Sequence, residues 1–180
     1  MLLNRELLYR KYGLPPKSRS RIDLHEAKQA FKNKAFTGIN DLTNVCFANS
    51  QLAEIDKKTF NGLTKLVEIT LPNNKLQYID KDTFQGLNSL AFISLHNNQL
   101  KRLHRHTFLG LTSLAFLYLS NNQIKKIETD IFNGLTNLTG IYLGHNQINQ
   151  IEKETFHNLN NLKVKFFNVF SNILILNNPG

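Results

Sequence analysis

The sequence predicts an α/β repeat solenoid: a curved stack of coils with short parallel β-strands on the concave face, mostly irregular returns and a phenylalanine spine. Three observations predict it. The pattern L-x-x-L-x-x-(I/L)-x-L-x-x-N-x-(L/I)-x-x-(I/L)-x-x-x-x-F-x-G returns every 24 residues, at 63–86, 87–110, 111–134 and 135–158, with Asn158 in place of the last glycine. Self-similarity at such a period signals a repeat architecture. Second, apolar residues stand at positions 7 and 9 of every repeat, the spacing that puts two side chains on one face of a strand. Third, position 22 is phenylalanine throughout: Phe36, Phe60, Phe84, Phe108, Phe132 and Phe156.

Each element follows from its positions. Val45, Ile69, Ile93, Leu117 and Ile141 fill position 7, and Phe47, Leu71, Leu95, Leu119 and Leu143 fill position 9. Strands are therefore expected near 44–48, 68–72, 92–96, 116–120 and 140–144, with the intervening residues facing solvent. Parallel strands need a crossover, which positions 12–24 supply; 24 residues leave little room for a full helix there. Asn74, Asn98, Asn122 and Asn146 end the strands at position 12, where amides can bond turn backbone or ladder between rungs. The return is anchored by apolar residues at positions 14 and 17, and its phenylalanines stack along the convex side. Gly62, Gly86, Gly110 and Gly134 close the coils where a positive φ is expected. No single coil buries its apolar face; stacked rungs roughly 4.8 Å apart do.

The domain reading has three parts. Residues 1–15 form a basic segment whose leucine spacing suits a short helix before Pro15-Pro16. Residues 16–165 form the solenoid: a worn repeat at 16–38, then repeats 39–62, 63–86, 87–110, 111–134 and 135–158. In repeat 39–62, Ser50 takes the turn-asparagine position and Asn49 falls one place early. Residues 159–180 are a degenerate final repeat and tail, in which Lys165 lands at position 7 and the register is expected to be lost.

The formal charge of +9 is uneven: residues 1–34 carry nine Lys/Arg against three Asp/Glu. That weakly favours an acidic partner or surface. No run of 18 apolar residues marks a membrane span, and the first residues lack the continuous apolar block of a secretory signal. Cys46 is the only cysteine, so no disulfide forms within the chain; position 8 makes it an exposed thiol on a strand. Asn137-Leu138-Thr139 is a glycosylation sequon.

The repeats resemble the 24-residue typical class of leucine-rich repeats found in extracellular proteins such as Slit, Toll-like receptor ectodomains and small leucine-rich proteoglycans. The in-phase leucine spacing and the closing F-x-G carry the resemblance over about residues 16–165. It implies a curved solenoid binding a protein ligand on its concave sheet, extracellularly or at the cell surface within a longer protein. Members of that class usually carry cysteine-rich caps, which a single cysteine does not build. The alternative is therefore an intracellular scaffold or regulatory subunit in the cytoplasm.

Outward strand positions give the candidate ligand face. Position 6 holds Asn44, Glu68, Phe92, Phe116 and Gly140; position 8 holds Cys46, Thr70, Ser94, Tyr118 and Tyr142; position 10 includes His96. Phe92, Phe116, Tyr118 and Tyr142, with Ser94, His96 and Glu68 beside them, make an apolar patch of the kind that marks interfaces. A second candidate lies on the return: Lys101, Arg102, His104 and Arg105, with Lys125 and Lys126 one coil on. This basic patch suits a sulfated glycan; no base-stacking motif accompanies it, so nucleic acid is not expected. Catalysis is not expected either. Cys46 and His96 lie two rungs apart, about 10 Å, beyond nucleophile–base reach. His104 and His106 lack a third metal ligand, and neither a cofactor motif nor a metal site is seen.

Overall fold

The computed structural model describes residues 21–23, 36, 39–151 and 153–166. The expected N-terminal helix, most of the worn repeat and the tail beyond residue 166 lie outside the described residues. The chain is a parallel-strand solenoid. Among the described residues its main sheet has seven strands: β1 (Arg21–Asp23), β2 (Asn44–Cys46), β3 (Glu68–Thr70), β4 (Phe92–Ser94), β5 (Phe116–Tyr118), β7 (Gly140–Tyr142) and β9 (Val164–Phe166), hydrogen-bonded in that order. Every pairing from β2 to β9 is parallel and in register at 24 residues, as in Val45↔Ile69 and Ile93↔Leu117. Outside the sheet the described returns are mostly irregular, with no α-helix and a single 3-10 turn at Lys153–Phe156.

The strands are shorter than the five residues expected, and the reason is at position 11. Asn49, Asn73, Asn97, Asn121 and His145 all adopt left-handed φ of 55–56°, which turns the chain out of the sheet. Inter-rung hydrogen bonds still run past the strand ends: Leu95 N donates to Tyr118 O at 2.8 Å and Asn97 N to Ser120 O at 3.0 Å. Asparagine tolerates that conformation better than other side chains. Asn49 is therefore not a displaced turn asparagine. It fills the same left-handed position as its counterparts, while Ser50 is buried at position 12, its hydroxyl donating to Ala48 O.

The position-12 amides do not ladder with each other. Each one clamps the backbone of its own rung to the rung before. Asn98 Nδ2 donates to Leu71 O at 2.9 Å and to Leu95 O at 3.1 Å, while its Oδ1 accepts from Leu76 N at 3.1 Å. Asn74, Asn122 and Asn146 repeat the arrangement. Amide-to-amide bonding occurs one place earlier, where Asn97 Nδ2 donates to Asn73 Oδ1 at 2.7 Å.

One continuous core joins the rungs: the residues at positions 1, 4, 7, 9, 14 and 17 are buried from Leu42 to Leu143. Each large apolar side chain so buried contributes roughly 1.5–3 kcal/mol. The phenylalanine spine is formed. Phe36–Phe60, Phe60–Phe84 and Phe84–Phe108 stack at 5.9, 6.4 and 6.1 Å, and Phe132–Phe156 at 5.7 Å. Gly110 closes its coil at φ 84° with open space where a Cβ would sit, so conformation and not crowding selects glycine there. Asn158 takes that place in the last coil, and Leu159 N still donates to Phe156 O at 3.2 Å.

Two features of the backbone depart from the sequence reading. Position 7 of the final repeat keeps its register, because Lys165 pairs with Ile141 in the β7–β9 ladder. Ladder bonds are main-chain bonds, so a lysine in place of an apolar residue does not remove them. The returns also contain a small second sheet, β6 (Lys126–Ile127) with β8 (Gln150–Ile151).

Three of the threonines at position 21 carry a polarity the fold does not use. Thr83, Thr107 and Thr155 are buried there with hydroxyls that have no hydrogen-bond partner among the described residues, while Ile131 occupies the same position at 1% exposure. A buried unsatisfied hydroxyl costs about 1–3 kcal/mol. Thr107→Val, which keeps the shape, should raise stability by about 1 kcal/mol in urea unfolding. A loss of stability would show that the hydroxyl is bonded in solution.

Candidate functional site

The open face of the main sheet divides into a polar and an aromatic half. On β2 and β3, Asn44 Nδ2 donates a short hydrogen bond to Glu68 Oε2, and Thr70 Oγ1 donates to Glu68 Oε1 at 3.0 Å. Glu68 is thus tied into its own rungs. Cys46, expected to be exposed, is half-buried beside them.

From β4 onward the face is aromatic. Phe92 and Phe116 are Cα partners, as are Phe116 and Gly140, and Tyr118 and Tyr142. The tyrosine rings stack face to face at 4.2 Å and 4°. Phe92 packs on the diagonal neighbour, its ring 5.1 Å from that of Tyr118. Phe116 leans over the next rung: a Cβ on Gly140 would meet its ring at 3.0 Å and the Tyr142 ring at 3.2 Å. Glycine at position 6 of that rung is what lets Phe116 lie down. The four rings are half-buried against one another, each keeping part of its surface open. Burial, followed by the neighbouring Tyr142 hydroxyl, raises the Tyr118 pKa above its ordinary value.

Ser94 faces outward in register yet is only 2% exposed, because His96 covers it: Ser94 Oγ lies 2.7 Å from His96 Nδ1. His96 is the half of that pair a partner can reach. Its burial lowers its pKa below the usual 6.5.

The return-face candidates also come together. Lys101, Arg102, His104, Arg105, Lys125 and Lys126 are all exposed and line one groove of about 820 Å³. The sequence reading missed its remaining walls, Tyr78, Asp80, Lys81 and Glu128, and its floor, Ile79 and Leu103. Tyr78 stands at position 16, one rung before Arg102, so the 24-residue register was enough to place it there.

The sequon asparagine has a structural partner. Asn137 is exposed, and its Nδ2 donates to Thr112 O at 2.8 Å; Asn161 does the same to Thr136 O one rung later. Among the described residues no three His, Cys, Asp or Glu side chains are placed to hold a metal ion. No helix among them is long and apolar enough to cross a membrane.

Residues 29–163 match the model of the BspA-type leucine-rich repeat region in six copies. The chain belongs to the BspA-type leucine-rich-repeat family. No curated protein sequence matches it. Among solved structures, this leucine-rich-repeat chain is similar to one in the crystal structure of a TLR13–ssRNA13 complex, at 27% identity and a TM-score of 0.75, over 80% of this chain and 21% of that one. It is also similar to a chain in the Toll–Spätzle complex of Drosophila, at 22% identity and a TM-score of 0.74, over 82% of this chain and 19% of that one. A third likeness is to the LRIM1/APL1C complex, at 20% identity and a TM-score of 0.67, over 73% of this chain and 24% of that one. The chain therefore spans about a fifth to a quarter of the length of the solved chains it matches. The two likenesses of lowest identity speak to the fold alone.

Proposed function

We propose that this leucine-rich-repeat chain is a non-catalytic protein-interaction module of extracellular or cell-surface recognition type. A protein ligand docks on the open face of the sheet, centred on Phe92, Phe116, Tyr118 and Tyr142. The observation that carries this reading is the aromatic half of that face. The rungs accept Asn44 and Glu68 at position 6 and Thr70 at position 8, so the fold has no need of aromatics there. Four clustered, partly open rings with His96 at their margin supply what an interface centre uses: large rigid apolar area with hydroxyl and imidazole donors. The extracellular setting rests on the resemblance of the 24-residue repeats to the typical extracellular class; the solved TLR13 chain they are similar to is in a complex with RNA. The sequon at Asn137 points the same way.

The test is affinity capture from extracellular and cell-surface extracts with the wild-type chain beside Phe116→Ala/Tyr118→Ala. Truncating aromatics at an interface centre commonly costs about 2 kcal/mol or more, so recovered partners should fall on the order of tenfold or more. Because Tyr118 stacks on Tyr142 and Phe116 on Gly140, the unfolding midpoint of the double variant is measured alongside. Equal recovery of the same partners by both proteins would remove the sheet face as the docking site.

A further inference from the structure

We propose that the groove on the return face, bounded by Tyr78, Lys101, Arg102, Arg105 and Lys125, binds a linear sulfated glycan. It is built from return residues, shares none with the aromatic cluster on the sheet and does not depend on it. The first argument is electrostatic. Six lysine or arginine side chains line the groove against two carboxylates, Asp80 and Glu128. Lys81 turns to Asp82 at 2.9 Å, and Lys126 makes an exposed 3.5 Å pair with Glu128. Lys101, Arg102, Arg105 and Lys125 make no ion pair among the described residues. Like charges held around one concavity repel, and the fold gains nothing from them, since all are exposed and outside the core. A polyanion laid in the groove would reverse that penalty.

The second argument is geometric. Lys101 and Lys125 occupy the same repeat position on successive rungs, as do Arg102 and Lys126. Their attachment points thus repeat at the rung step, roughly 4.8 Å, comparable to the advance per sugar of a linear glycan. Sulfate groups would meet ammonium and guanidinium heads, and guanidinium can take two oxygens at once. Ile79 and Leu103 give the groove an apolar floor, and the Tyr78 ring, 51% exposed, offers a flat surface for the C–H face of one sugar. Single-stranded RNA would call for several rings in a row as stacking platforms, whereas only Tyr78 and His104 carry rings among the described residues that line this groove.

The experiment measures binding of a heparin-derived hexasaccharide to the full chain at about 0.15 M salt, where charges beyond about 8 Å are screened. Its chemically desulfated form and an RNA oligonucleotide of equal charge are run in parallel. The sulfated sugar should bind best, and Lys101→Glu/Arg102→Glu/Lys125→Glu should weaken it more than about tenfold, equivalent to about 1.4 kcal/mol. Tyr78→Ala should weaken it several-fold without changing net charge. Lys57→Glu/Lys58→Glu, at exposed lysines on another part of the return, should leave it nearly unchanged, as should Phe116→Ala/Tyr118→Ala. Equal losses from the Lys57/Lys58 variant would overturn the proposal in favour of diffuse charge. Equal binding of the desulfated sugar, or tighter binding of the RNA, would also overturn it.

Discussion

Phe108→Ala should destabilise the protein by about 3–5 kcal/mol, the range for emptying a buried phenylalanine site. Phe108 is fully buried and stacks 6.1 Å from Phe84 in the spine. The cost is transfer free energy plus a cavity, and rungs held in register by ladder bonds on both sides cannot close over it. Each rung contacts only its neighbours, so damage to a central one also weakens the coupling between the two halves. Urea unfolding followed by far-UV circular dichroism should therefore show a lower midpoint and a shallower transition. Phe156→Ala, at a half-buried position in the last spine contact, should cost clearly less. A loss below about 0.5 kcal/mol for Phe108→Ala would mean the spine does not hold the rungs together.

The fold was legible because a solenoid writes one structural unit repeatedly. Leucine spacing placed five strands, and the β-pairing registers are the sequence period itself. What was missed lay in backbone conformation. The doublets Asn73-Asn74, Asn97-Asn98 and Asn121-Asn122 contain two asparagines with different tasks, a left-handed turn and a buried clamp. Taken as one repeated turn signal, they make Asn49 look misplaced, although Asn49-Ser50 keeps the turn and loses only the clamp amide. Lys165 misled in a similar way: side-chain pattern predicts what a strand buries, whereas the ladder depends on the main chain.

The candidate site was legible to the level of the column and no further. That Phe116 and Gly140 share a position was visible; that the phenylalanine would lie across the glycine depends on side-chain torsions, which periodicity does not encode. Ser94 shows the same limit, since outward register said nothing of His96 folding over it. On the return face the basic residues were visible as a run, but Tyr78 belongs to the coil before. Only stacking the coils brings it to the groove.

Asn98→Ala tests the buried amide clamp that recurs at position 12. The substitution removes one acceptor and two donors from an amide that is 7% exposed. Leu76 N then loses its acceptor, whereas Leu71 O and Leu95 O, on two successive rungs, each keep one amide donor, Asn74 Nδ2 and Asn122 Nδ2, both at 3.0 Å. An orphaned buried polar group costs about 1–3 kcal/mol, so a loss of about 2–3 kcal/mol is expected once the weakened carbonyl bonding is added. Asn97→Gly is the control, one residue away. That position needs φ of 55°, which glycine supplies, and loses only the exposed amide bond to Asn73; the change should stay within about 1 kcal/mol. Asn98→Asp separates the two halves of the clamp. It keeps an acceptor for Leu76 N but sets a carboxylate against two carbonyl oxygens in a buried place. The folded state would raise that carboxyl's pKa, so the variant should regain stability as pH falls and the group takes up a proton able to donate to one carbonyl. If Asn98→Ala and Asn97→Gly unfold at the same urea concentration, the buried amides are spacers, and the leucines and phenylalanines alone set the stacking of the coils.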